Sequence, residues 1–194
     1  MFTGLVADVG EVLDVEKSPD GVRLRVASRL VADVEEGDSI CVNGVCLTAT
    51  DVCDAAFSAD VMNETLRLTS LAAVRPGAAV NLELAMSPAD RFGGHIVQGH
   101  VDGVGVVAGV DADGFSKRVR VEAPPDVLRY IIRKGSVTVD GVSLTVADLD
   151  DRSFTVSLIP ETLNRTSLGS AAPGLTLNLE VDVLAKYVER AVRR

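Results

Sequence analysis

Ser39-Ile-Cys-Val-Asn-Gly-Val-Cys-Leu-Thr48 falls, after a shift of 97 positions, on Ser136-Val-Thr-Val-Asp-Gly-Val-Ser-Leu-Thr145. Moving outward at the same shift, Glu64-Thr-Leu66 meets Glu161-Thr-Leu163 and Thr69-Ser-Leu71 meets Thr166-Ser-Leu168. Asn81-Leu-Glu83 then meets Asn178-Leu-Glu180. About 20 of the 49 positions aligned in this way are identical, far more than chance provides, so the chain contains one unit twice. Gly4-Leu-Val-Ala-Asp-Val-Gly10 matches Gly99-His-Val-Asp-Gly-Val-Gly105 at a shift of 95, which puts a small length difference in a loop between the two matches. The expected units are 1–88 and 92–182, joined at the polar stretch Ser87-Pro-Ala-Asp-Arg91, with 183–194 outside the repeat.

The texture inside each copy is strand. Val22-Arg-Leu-Arg-Val26 and Val119-Arg-Val121 alternate apolar with charged, the period of a half-exposed strand. Asp20-Gly21, Asn43-Gly44, Asp113-Gly114 and Asp140-Gly141 punctuate these runs at short intervals, a rhythm of antiparallel hairpins rather than of alternating strand and helix. A small antiparallel barrel or sandwich is the expected unit. Short helices are expected at 28–34 and 125–132, with further helical turns from Glu64 and Glu161. Leu184, Tyr187, Val188 and Ala191 form one apolar stripe on a helical tail.

Composition narrows the function. Hydrophobic residues make up 47 % of the 194 positions, enough for packed cores, and Trp is absent, so aliphatic side chains fill them. A net charge of −9 repels phosphate backbones and argues against nucleic acid as a partner. No apolar run is long enough to span a bilayer as a helix. Asp8 and Glu11 interrupt the first apolar stretch, so no secretory signal is expected. Cys41, Cys46 and Cys53 are odd in number and lack a Cys-x-x-Cys pair, which favours a reducing cytoplasm and disfavours zinc. Cys41 and Cys53 read as packing residues, and His95 as structural.

Repeated polar residues within apolar stretches carry the functional signal. Thr48 and Thr145, Glu64 and Glu161, and Thr65 and Thr162 must find partners when buried. They serve either the barrel's own hydrogen bonds and helix starts or a polyhydroxylated ligand. Met1-Phe-Thr-Gly4, Asn43-Gly-Val-Cys-Leu-Thr48, Gly94-His-Ile-Val-Gln-Gly-His100, Asp140-Gly-Val-Ser-Leu-Thr145, Ile159-Pro-Glu-Thr-Leu163 and Asn178-Leu-Glu-Val-Asp182 together resemble the riboflavin synthase family, across the whole chain and in order.

The resemblance implies an all-β chain of two six-stranded antiparallel Greek-key barrels in tandem, followed by a C-terminal helix that assembles a homotrimer. It implies dismutation of two molecules of 6,7-dimethyl-8-ribityllumazine by transfer of a four-carbon unit. The products are riboflavin and 5-amino-6-ribitylaminouracil, formed without metal or redox cofactor. It further implies a cytoplasmic location and association with lumazine synthase. Two identical substrates then explain two similar pockets, contributed in the family by the first barrel of one subunit and the second barrel of its neighbour.

By the family motifs the first pocket takes Gly4, Leu5 and Val6, then Cys46, Leu47 and Thr48, then Asp60, Val61, Met62, Asn63, Glu64 and Thr65. The second takes Gly99, His100 and Val101, Lys134, then Ser143, Leu144 and Thr145, then Ser157, Leu158, Ile159, Pro160, Glu161 and Thr162. Four residues are candidates for chemistry. Cys46 and Ser143 share a repeat position but differ chemically, as a donor site and an acceptor site should. His100 replaces Leu5 of the first copy and could shuttle protons near neutral pH, although a histidine there equally suits holding the inter-domain turn in place. Asp182 replaces Ala85, although an Asp there equally suits an N-cap for the tail. The rival reading is a non-catalytic lumazine or flavin antenna protein. Antenna proteins have degenerate second-barrel motifs, whereas here these are intact. A barrel scaffold without ligand would leave the paired polar residues unexplained.

Overall fold

The structure, a computed structural model, describes residues 1–193. Twelve strands form two closed antiparallel barrels. In the first, β1 (Asp8–Ser18), β2 (Gly21–Ala27), β3 (Ser39–Val42), β4 (Val45–Cys53), β5 (Ala56–Met62) and β6 (Ala79–Leu84) close in the order β1-β2-β5-β4-β3-β6. The second uses β7 (Gly103–Asp113), β8 (Ser116–Glu122), β9 (Ser136–Val139), β10 (Val142–Leu149), β11 (Ser153–Leu158) and β12 (Thr176–Val181). Its order, β10-β11-β8-β7-β12-β9, is the same circuit, so the sequence repeat is a repeat of topology. Even the irregularities recur: β1 shifts register against β2 between Val12 and Asp14, and β7 against β8 between Val107 and Gly109. Bulges in the long first strands bend each sheet toward closure, which leaves no free edge.

Alternation decides what lies inside. Leu24, Ile40, Phe57 and Leu82 fill the first barrel; Val121, Phe154, Leu177 and Leu179 fill the second, all without solvent exposure. The tight turns Asn43-Gly44 and Asp140-Gly141 join β3 to β4 and β9 to β10, with both residues of each turn at positive φ (47° and 80°, 44° and 79°). That conformation matches the twist of a two-residue hairpin, and Asx-Gly adopts it at least cost.

The described residues also form four α-helices, α1 (Asn63–Leu68), α2 (Pro125–Leu128), α3 (Pro160–Arg165) and α4 (Val183–Val192). The expected helix at 28–34 is a 3₁₀ turn, Arg29–Asp33, capped by Ser28 Oγ accepting from Leu30 N at 3.0 Å. The one at 125–132 closes after Leu128 with Arg129 as its C-cap, and positive-φ Lys134 lies in the turn before β9. Cys41 is buried as expected; Cys53, expected to pack, is exposed as the last residue of β4.

Candidate functional site

The two barrels exchange their leading segments across a pseudo-twofold seam. Phe2 pairs with Val97 through Phe2 N–Val97 O (2.8 Å) and Val97 N–Phe2 O (3.2 Å), and both side chains are fully buried. Beyond this bridge the chain before β1 runs onto the second barrel, where Ser143 N donates to Gly4 O at 2.8 Å. The chain before β7 runs onto the first, where Cys46 N donates to Gly99 O at 2.9 Å. Val6 packs against the core of the second barrel and Val101 against that of the first. The hairpin turns meet on the axis, and Asn81 and Asn178 lock them there. Asn81 Nδ2 donates to Asp140 O (2.9 Å) and Asn178 Nδ2 to Asn43 O (2.8 Å).

This exchange corrects the expected grouping. Gly4, Leu5 and Val6 do not join Cys46; they line a groove of about 410 Å³ with Ser143, Glu161, Thr162 and Thr166 of the second barrel. Gly99, His100 and Val101 instead complete the site at Cys46. The physical reason is packing: Val6 is covered by the core of the second barrel, and the Gly4 carbonyl is bonded by Ser143 N there. Each site is therefore built from both copies within one chain.

At the Ser143 site the hydroxyl lies 2.7 Å from His95 Nδ1, and His95 Nε2 lies 3.3 Å from Thr138 Oγ1. Burial holds the His95 pKa below its usual value, an effect partly offset by the nearby Asp182 carboxylate, so the ring is neutral near pH 7. A neutral imidazole against a serine hydroxyl can accept its proton. The sequence reading treated His95 as structural, and its partner Ser143 is the only sign that separates it from a core histidine. The first copy offers no equivalent, since the match to its leading segment starts downstream of this position. His100, the histidine favoured on sequence, has an exposed side chain beside the Cys46 site; its backbone N–H donates to Glu180 Oε2 at 3.1 Å.

The remaining candidates divide by exposure. Thr48 and Thr145 point outward from β4 and β10 and are exposed, so the alternative of an internal barrel bond is not realised. Leu47, Val61 and Leu158 face the barrel cores and present only backbone to a ligand. Cys46, Ser143 and Leu144 are half-buried. Met62, Ile159 and Pro160 are exposed at the starts of α1 and α3. Asp60 is held by Arg23, Nε–Oδ1 2.7 Å and Nη2–Oδ2 3.0 Å, and the bonded guanidinium pulls its pKa down. Glu64 bonds Arg67 (Oε1–Nη2 2.6 Å) and Glu161 bonds Arg165 (Oε1–Nη1 3.0 Å), both on exposed helix faces. Asn63 Nδ2 donates to Pro19 O at 2.9 Å. Thr65 and Thr162 are half-buried, and their carbonyls accept from Thr69 and Thr166 hydroxyls. Ser157 Oγ and Lys134 are exposed, the latter at φ 67°. Asp182 caps α4, its Oδ1 accepting from Leu184 N at 3.0 Å, which is the capping role the sequence also allowed. Among the described residues no group of His, Cys, Asp and Glu is gathered as a metal site. No helix among the described residues is long and apolar enough to cross a membrane.

The family model for the lumazine binding domain matches residues 3–85 and again 98–182. A riboflavin synthase of Mycobacterium bovis is 52 % identical over 198 aligned residues, covering 100 % of this chain and 98 % of that one. The chain belongs to the riboflavin synthase family. Another member of that family, from Actinobacillus pleuropneumoniae, is 47 % identical over 98 % of this chain and 89 % of its own. The solved structure of LumP complexed with riboflavin superposes at a TM-score of 0.88, with 23 % identity over 93 % of this chain and 99 % of LumP, a likeness of fold. The family's two tandem barrels and C-terminal helix, expected from the motifs, are both present.

Proposed function

We propose that this chain is a riboflavin synthase. It takes two molecules of 6,7-dimethyl-8-ribityllumazine, moves a four-carbon unit from one to the other, and releases riboflavin and 5-amino-6-ribitylaminouracil. The observation that carries the reading is the pair of pseudo-equivalent sites, alike in backbone and unlike in chemistry: Ser143 with His95 at one, Cys46 with His100 at the other. Two copies of one substrate in distinct roles require such a pair.

In this reading the backbone of 4–6 and 99–101 lies along the pteridine edges. The hydroxyls of Thr48, Thr145, Thr65 and Thr162 hold the ribityl chains, with Glu64 and Glu161 at the helix starts. The acidic 7-methyl group of one lumazine gives up a proton, and a nucleophile, water or Ser143 activated by neutral His95, adds to the other. General base help of this kind contributes about 10²- to 10⁴-fold. Holding two substrates in register contributes more, because the entropy of bringing them together is lost at binding. No step draws on a metal or a redox cofactor.

The active form in this reading is a cytoplasmic homotrimer, with unit 1–88 of one subunit facing unit 92–182 of its neighbour. Helix α4 supports it. Its polar face ties it to its own barrel, with Lys186 bonded to Asp102, and Glu189 to Arg129 and Tyr130. Its stripe of Leu184, Tyr187 and Val188 is left 55 %, 66 % and 63 % exposed, an apolar face available to sister helices. Association with lumazine synthase is part of the same family reading. Turnover of the purified chain with 6,7-dimethyl-8-ribityllumazine, followed by riboflavin absorbance, tests the proposal. Retention of the lumazine without product would identify an antenna protein instead.

A further inference from the structure

Two carboxylates buried at the seam have no place in the chemistry above. Glu83 on β6 and Glu180 on β12 are only 7 % and 3 % exposed. Each is met by the amide groups of one exchanged loop. Glu83 Oε1 accepts from Thr3 N (2.7 Å) and Thr3 Oγ1 (3.0 Å), and Oε2 from Gly4 N (3.0 Å). Glu180 Oε1 accepts from Gln98 N (2.7 Å), and Oε2 from Gly99 N (2.9 Å) and His100 N (3.1 Å). We infer that Glu83 and Glu180 are positioning residues, each anchored in one barrel and fixing the loop that completes the ligand site on the other.

The argument is geometric. A carboxylate offers several lone pairs to a curled run of N–H groups, and charge-assisted bonds of this type are about twice as strong as neutral ones. The loops they hold leave no slack. Gly4 and Gly99 sit at nearly the same positive φ, 78° and 77°. A Cβ at Gly4 would stand 2.6 Å from the Ser143 Cβ, and one at Gly99 2.6 Å from the Cys46 Cβ. The loop backbone thus lies directly against the residue that defines each site, and a small displacement would open the groove. Glutamine in place of either glutamate keeps the shape but turns an NH₂ group toward N–H donors. Burial raises the pKa of both carboxyls and the backbone bonds oppose the rise, as expected where amides replace water as the solvating groups.

The two clamps act on opposite sites, which separates positioning from general bracing. The inference rests on the proposed function, so riboflavin is the probe. In a Cys53→Ser background, alkylation of half-buried Cys46 by iodoacetamide reports the Cys46 site, while fluorescence titration counts sites. The unmutated clamp should bind two riboflavins per chain and protect Cys46. Glu83→Gln should weaken the Ser143 site about 10- to 100-fold and keep Cys46 protected; Glu180→Gln should weaken the Cys46 site equally and lose protection. Should either glutamine variant not fold, Glu→Asp, which keeps the charge on a shorter arm, should give a smaller loss at the same single site. Variants that weaken both sites together, or neither, overturn the inference while the parent still binds two ligands. A parent that binds none overturns the proposed function and this inference with it.

Discussion

Asp140 offers the sharpest quantitative test of the seam. It is fully enclosed at the hairpin turn of the second barrel, where its Oδ1 accepts from Asn178 N at 2.7 Å. The equivalent residue of the first copy is Asn43, whose Oδ1 accepts from Asn81 N at the same 2.7 Å. One turn therefore carries a neutral amide and the other a carboxyl whose pKa burial pushes up from 3.8 to about 7. Because the folded pKa lies above the unfolded one, folding favours the protonated form. Stability is fully present below about pH 4, falls as pH rises, and is lowest above pH 7. At about 1.4 kcal/mol for each tenfold change in proton affinity, the ionised carboxylate costs on the order of 4 kcal/mol at pH 8. Asp140→Asn keeps the accepting oxygen and cannot ionise. Urea unfolding of parent and variant should show nearly equal stability at pH 4 and a gain of up to about 4 kcal/mol for the variant at pH 8. Other titrating groups cancel in the difference. A variant whose offset from the parent is the same at both pH values, or which loses stability at pH 8, would refute the reasoning.

Three further outcomes are expected. Ser143→Ala and His95→Gln should each lower turnover by about 10²-fold or more while riboflavin binding persists. Since burial depresses the His95 pKa, parent turnover should hold below pH 6.5, where an ordinary imidazole would already be charged; stopped assays across pH 5.5–8 read both. Tyr187→Asp with Val188→Asp should convert a trimer in sedimentation to a folded monomer, because an unpaired charge in an apolar contact costs several kcal/mol. The isolated segment 1–88 should fold around Phe57 yet bind lumazine only as a dimer, each copy's residues 4–6 standing in for the missing 99–101. A ligand-binding monomer by sedimentation would contradict the exchanged loops.

Most of the architecture was legible because it rests on local chemistry. Period-two alternation set the strands, Asx-Gly pairs set the tight hairpins, and the repeat at Ser39–Thr48 and Ser136–Thr145 required one topology twice. The site was legible only in part, for a reason specific to duplicated chains. Alignment identifies Gly4 with Gly99 and Cys46 with Ser143, but equivalence under a repeat says nothing about which copy a segment packs against. A leading segment that fits its own barrel fits the other nearly as well, and the choice is made by the seam. Phe2 and Val97 bury each other there, and Glu83 and Glu180 turn the loops across. None of these contacts has a signature in local periodicity. His95 was missed on a related ground: its bond to Ser143 spans 48 positions, from the segment before β7 to β10, and no local periodicity brings the ring to the hydroxyl. The exchange also gives the duplication a mechanical consequence, because two sites that each borrow a loop from the other barrel cannot be separated from the interface that couples them.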